Sequence, residues 1–148
     1  MTNFYFIDKF LGFNRFYANL LGKFDFKFYG KLFTSGEANV ITETYNNHAL
    51  SAKEISGNLM MNKGQLSKML NKFEKNGFVV RVPDNNDKRS FILSLTEKGT
   101  QMYLEQIEIV RLGLREELLP YSKQEIQRLD CAMTIFKNTY EKKQSHRN

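Results

Sequence analysis

The stretch from Ser51 to Leu95 constrains the fold of this chain more than any other. In Ser51-Ala-Lys-Glu54 a Ser hydroxyl can take the amide three residues on while the Glu side chain returns to the Ser amide, so a helix starts here and runs to about Leu59. Ile55 and Leu59 face inward. Met60-Met61-Asn62 then forms a turn, Asn62 caps a second helix with Gln65 at the capping-box position, and Gly77 supplies a stop after about Asn76. Within that second helix Leu66, Met69, Leu70 and Phe73 share the face that must pack inward, whereas Lys63, Gln65, Lys68, Asn71 and Lys72 lie around the other side. Phe78 to Val82 and Ser90 to Leu95 have strand composition, and Pro83 to Arg89 between them is too rich in turn formers to join either strand. The order expected is helix, turn, helix, hairpin, with two strands in the hairpin.

The flanks are helical. Residues 4 to 24 place Phe6, Phe10, Phe13, Tyr17, Leu20, Leu21 and Phe24 at spacings of three and four, and Phe4, Leu11 and Phe16 widen the stripe. Nine of the 13 Phe residues precede Thr34, more apolar surface than one intrachain contact normally covers. Such a face is either core or a subunit interface, and its width favours the interface. Phe24-Asp25-Phe26-Lys27-Phe28 alternates with period two up to Gly30, as a short strand or an extended linker would. Thr34-Ser-Gly-Glu37 is another capping box, opening a helix from about Ser35 to Asn46 with Ala38, Ile41 and Tyr45 on one face. Beyond the hairpin, Thr96-Glu97 begins a long helix carrying Met102, Tyr103, Ile107, Val110, Leu114 and Leu118 until Pro120 ends it. Ser122 and Glu125 cap a last helix with Ile126, Leu129, Met133, Phe136 and Tyr140 in register, and an antiparallel pair is expected. The fold class is therefore mainly α with a small β-hairpin wing, a winged helix-turn-helix over 34–95 flanked by helical regions 1–33 and 96–148.

Charge narrows the partners. The net charge is +6 over 148 residues, and residues 51–95 contribute eight Lys or Arg against four Asp or Glu, the largest local excess. A polyanionic partner is the natural expectation. A single cysteine excludes an intramolecular disulfide or a cysteine zinc cluster and fits a reducing compartment. Cys131 lies between apolar neighbours in the last helix, where a buried, inert thiol is expected. His48 and His146 are too far apart to suggest a metal site. No apolar run approaches the ~18 residues needed to span a membrane, and no signal peptide is visible, so the chain is expected to be soluble and cytoplasmic. Nothing resembles a phosphate loop, a catalytic His pair or a nucleophile motif, so neither an enzymatic activity nor a cofactor is expected.

A helix of this kind fits the major groove of DNA, with its N-terminal residues at base edges and its first amides near phosphate. Lys63, Gln65 and Lys68 occupy that end. Gln suits adenine and Lys the O6 and N7 of guanine, while Ser67 and Asn71 can assist on bases or phosphates. Gly64 permits close backbone approach. At the hairpin tip Asp87-Lys88-Arg89 projects cations suited to a narrow minor groove, with Asp87 able to orient Arg89. Arg81 at the end of the first strand points to a phosphate or to water. The alternative is a winged helix used as a protein-interaction surface, its charge serving solubility.

Leu66-Ser67-Lys68, the run Phe73-Glu-Lys-Asn-Gly-Phe-Val-Val-Arg81, Asp87-Lys88-Arg89, and Leu93-Ser-Leu-Thr-Glu-Lys-Gly99 together resemble the multiple-antibiotic-resistance regulator (MarR) family of bacterial transcription factors. The motifs cover residues 34 to 100, and the flanking helices extend the likeness over nearly the whole chain. The resemblance implies a homodimer held by its terminal helices, two winged domains on a pseudo-palindromic operator in double-stranded DNA, and repression that a small-molecule effector relieves in many members. It places a ligand pocket between the dimerisation helices and the winged domain, where Phe13 and Tyr17 are candidates to line it. The cysteine near the first helix that peroxide-sensing members use is not found here.

Overall fold

The computed structural model describes residues 3–24 and 33–144. Along the chain run α1 (Phe4–Phe24), α2 (Ser35–Asn46), β1 (Leu50–Ser51), α3 (Ala52–Asn58), α4 (Lys63–Lys75), β2 (Val79–Pro83), β3 (Phe91–Leu95), α5 (Glu97–Leu118) and α6 (Lys123–Gln144). The alternating run that follows Phe24, expected as a strand or linker, lies outside the described residues, as does His146. Two compact units divide the chain at Val110 and Arg111, so the first turns of α5 belong with the winged segment.

In the first unit, side chains from every element of the helix-turn-helix meet. Ile55 of α3, Leu66, Leu70 and Phe73 of α4, Val40 and Ile41 of α2, and Val79 and Leu93 of the sheet are all buried, together with Phe33. Full burial of such a side chain stabilises the fold by about 1.5–3 kcal/mol, so this cluster fixes how α4 is held. Phe33 closes it with its ring 6.0 Å from that of Phe73 and 6.2 Å from that of Phe78. Tyr103 of α5 meets Tyr45 of α2 at 4.4 Å between ring centres.

The expected caps form as full capping boxes at Thr34, Ser51 and Ser122 and as a side-chain cap alone at Asn62. Thr34 Oγ1 accepts the Glu37 amide and Glu37 Oε2 accepts the Thr34 amide at 3.0 Å. Ser51 and Glu54 do the same at α3, and Ser122 and Glu125 at α6. Asn62 Oδ1 accepts from the amides of Gly64 and Gln65 at α4. Gly77 adopts φ +71°, the left-handed region where glycine costs least, and turns the chain from α4 into the wing. Met60 makes the other tight turn at φ 50°.

The wing differs from the expected two-stranded hairpin. β3 pairs on one side with β2, from Val79 opposite Leu95 to Pro83 opposite Phe91, and on the other with β1, Leu50 opposite Leu93 and Ser51 opposite Ile92. The third strand is two residues long, too short to show an alternation, and its Ser51 doubles as the cap of α3.

At the base of the wing Thr96 closes the hairpin against the end of α4. Its amide donates to Phe78 O at 3.0 Å and its hydroxyl to Gly77 O at 2.6 Å, while the Gly99 amide donates to the same hydroxyl oxygen at 2.9 Å. Lys98 Nζ reaches Asn76 O at 2.9 Å.

One open alternative is decided and one expectation is corrected. None of the α1 residues is buried, so its aromatic stripe is not core within the chain; Phe4 is 82% exposed. Cys131 is exposed rather than buried, because α6 buries none of its described residues in the single chain and its neighbours offer no cover. Of the apolar face of α6, Ile126 is half-buried while Leu129, Met133, Phe136 and Tyr140 are exposed.

Candidate nucleic-acid interface

α4 is amphipathic in the sense the sequence predicts. Leu66, Leu70 and Phe73 are buried and Met69 half-buried, while Lys63, Gly64, Gln65, Ser67, Lys68 and Asn71 are all exposed along the opposite face. The apolar stripe therefore sets the rotation of the helix, and the polar stripe is what it presents. A recess of about 240 Å³ beside it is lined by Lys53, Lys63, Ser67 and Arg81. Lys53 was not singled out by the sequence, where it reads only as the interior of a capping box.

Several side chains sit differently from expectation. The Gly64 amide is taken by the Asn62 cap at 2.8 Å, and a β-carbon on Gly64 would stand 3.2 Å from that same oxygen. Glycine here relieves crowding at the cap. Lys72, assigned to the exposed side, donates to Glu37 Oε1 at 2.8 Å and lies over the Phe33 ring. It binds α4 to the start of α2. Arg81 donates from Nε to Glu74 Oε1 at 2.8 Å and from Nη2 to Asn71 Oδ1 at 3.3 Å, both on α4.

At the wing tip, Asp87 Oδ1 accepts the Arg89 main-chain amide at 3.0 Å, so it orients Arg89 through the backbone. Asp84 Oδ1 accepts from the Asn86 amide and its Oδ2 from the Ser90 hydroxyl, closing the turn. These bonds leave Lys88 and Arg89 exposed at the tip. A groove of about 700 Å³ separates the wing from α3, with Lys53, Arg81, Asp84, Asp87 and Ser90 among its lining.

Away from this face, Phe13 and Tyr17 stack on α1 with ring centres 5.9 Å apart, both exposed. A separate apolar cavity between α2 and α5 is lined by Phe33, Ile41, Met102, Tyr103, Gln106 and Val110 and measures about 20 Å³. It has room for about one water molecule. Among the described residues no cluster of three metal-ligating side chains forms. Tyr45 stands 6.4 Å from His48, ring to ring.

A buried three-helix core, a polar and basic second helix and a hairpin with a cationic tip define a winged helix-turn-helix protein. Residues 33–91 match the model of the MarR family. The chain is 35% identical over 75 residues to the HTH-type transcriptional regulator YkoM of Bacillus subtilis, covering 51% of this chain and 48% of that protein. With the HTH-type transcriptional regulator SarZ of Staphylococcus aureus it shares 30% over 83 residues, 56% of this chain and 51% of the other. The chain thus spans about half the length of the curated relatives it matches. A mutant MarR from E. coli, solved in complex with operator DNA, superposes with a TM-score of 0.73 at 21% identity, covering 87% of this chain and 96% of that one. At that identity the likeness is one of fold.

Proposed function

We propose that this chain is a DNA-binding transcriptional regulator that lays α4 in the major groove and the wing tip in the adjacent minor groove. One observation carries this: burial of Leu66, Leu70 and Phe73 leaves Lys63, Gln65, Ser67, Lys68 and Asn71 as a single exposed stripe. Lys and Gln at the first turns suit base edges, and Arg89 suits the negative potential of a narrow minor groove. The names of YkoM and SarZ and the operator bound to the E. coli structure support the same function. It is a binding protein rather than an enzyme.

The finer proposal is a homodimeric repressor on a pseudo-palindromic operator, acting in the cytoplasm. The exposed aromatic face of α1 and the exposed apolar face of α6 would be covered by a second copy, which would set two α4 helices about 34–36 Å apart to meet successive major grooves. A small ligand that enlarges the cavity lined by Ile41, Tyr103 and Val110 would alter that spacing. No helix among the described residues is long and apolar enough to cross a membrane.

Selection of bound duplexes from a random pool, followed by a salt titration on the winning site, tests this. A two-fold symmetric consensus is expected, with affinity falling by a slope of about −0.9 per phosphate contacted. Recovery of no enriched sequence and a flat salt response would instead favour a protein-interaction surface.

A further inference from the structure

One side chain ties the first strand of the wing to α4. Arg81 Nε meets Glu74 Oε1 at 2.8 Å and its Nη2 meets Asn71 Oδ1 at 3.3 Å. Asn71 and Glu74 are three residues apart and so lie one above the other on the helix surface. Arg81 sits opposite Leu93, a core residue of β3, so the guanidinium joins the helix to the strand pair just where that pair enters the core. A guanidinium carries five donors and no acceptor, so the Asn71 amide can face it only through oxygen. Its nitrogen is turned away. The bidentate contact of Asn with adenine needs oxygen and nitrogen side by side on the N6 and N7 edge of the base. With its oxygen held by Arg81, the Asn71 amide presents a donor instead.

We propose that Arg81 is a positioning residue for DNA recognition rather than a phosphate contact. It holds the wing strand against α4 and fixes Asn71 as a donor, so that guanine O6 or thymine O4, acceptors where adenine carries its N6 donor, is favoured over adenine at the base Asn71 meets. This rests on the exposed face of α4 being the DNA-reading surface. The two bonds to α4 use two of the five guanidinium donors and fix the direction of the remaining three.

The test uses the full chain with Glu74→Gln, Arg81→Gln and the double variant, each titrated against the duplex selected by the unchanged protein at several salt concentrations. Glu74→Gln keeps the size of the side chain and leaves the charge of Arg81 intact. If Arg81 positions, each single change weakens binding by about three- to fivefold, the double variant is no weaker than the worse single, and the salt slope stays the same. Selection with Arg81→Gln then gains adenine at one position per half-site. The proposal is overturned if Arg81→Gln reduces the slope by about 0.9 while Glu74→Gln binds as tightly as the unchanged chain, because Arg81 would then be a phosphate ligand. An unchanged base preference in Arg81→Gln overturns the role given to Asn71. Should the unchanged chain bind no DNA, it is the DNA-reading function that fails, and the tie itself is judged by amide hydrogen exchange in β2 and β3. Faster exchange of similar size in both single variants supports it; unchanged exchange in Glu74→Gln refutes it.

Discussion

Gly99→Ala should destabilise this protein even though it replaces the second-worst helix former by the best, inside a 22-residue helix. A β-carbon built on Gly99 would sit 2.8 Å from the Phe78 carbonyl carbon and 3.0 Å from its Cα, closer still to the carbonyl oxygen. That oxygen cannot swing aside freely, since it accepts the Thr96 amide at 3.0 Å. Relief therefore means moving α5 off the base of the wing. Overpacking of this kind costs about 1–3 kcal/mol, and weakening the Thr96 hydrogen bonds adds about 1 kcal/mol, against a propensity gain of at most ~1 kcal/mol. The net loss is about 2 kcal/mol, which for a chain of this size lowers Tm by roughly 4–8 °C. Circular dichroism melts at one fixed protein concentration measure it, with Gly57→Ala as the control. Nothing lies within 4 Å of a β-carbon at Gly57, so there the same substitution should raise stability by up to ~1 kcal/mol. If both variants shift Tm upward alike, the close approach of Gly99 to Phe78 does not constrain the fold and the reasoning fails.

Other consequences are equally open to measurement. Arg89→Ala should weaken binding to the selected duplex by at least ~1 kcal/mol, and an unchanged affinity in a salt-controlled titration would remove the wing tip from the interface. Light scattering at micromolar concentration should return twice the chain mass; a monomer would contradict the pairing of α1 and α6 faces. Glu37→Ala, which removes both a cap and the partner of Lys72, should cost about 1–2 kcal/mol in urea unfolding, and a smaller effect than that of Thr34→Ala would show the Lys72 pair to be idle. The carboxyl groups of Glu54 and Glu125 are held below the ordinary value of 4.5, first by the Ser51 and Ser122 amides and then by their hydroxyls. A depressed folded value means this contribution is present above the ordinary carboxylate pKa and is lost as pH falls through the folded one. Acidification should therefore lower the protection factor of the Ser122 amide, its rate taken relative to intrinsic exchange at the same pH, and Glu125→Gln should make that protection factor insensitive to pH across the carboxylate range.

Local chemistry was the legible part of this sequence. Capping boxes at Thr34, Ser51 and Ser122, the Asn62 cap and the Gly77 stop each involve groups within three or four residues of one another, so the pattern carries the geometry. The amphipathic division of α4 was readable for the same reason, since one helix period decides it. What escaped were contacts between residues far apart in sequence. Lys72 looked like one more exposed cation because its partner Glu37 is 35 residues away and already explained as a cap. Arg81 looked free because the two acceptors that hold it lie on the preceding helix, across the Gly77 turn. β1 escaped for want of length. The faces of α1 and α6 mark another limit: periodicity tells which side of a helix is apolar, but not whether what covers it is the same chain.

The closure at the base of the wing bears on how this protein can be varied. Because Thr96 bonds to Gly77 and Phe78, and Lys98 to Asn76, the hairpin is a loop whose two ends are already pinned together. Loop-closure entropy rises only logarithmically, by about 0.6 kcal/mol for each doubling of length. Residues added between Pro83 and Phe91 should thus extend the reach of the tip at little thermodynamic cost and without disturbing α4. In such a molecule the length of the wing is an almost independent dimension, free to change while the helix beside it stays fixed.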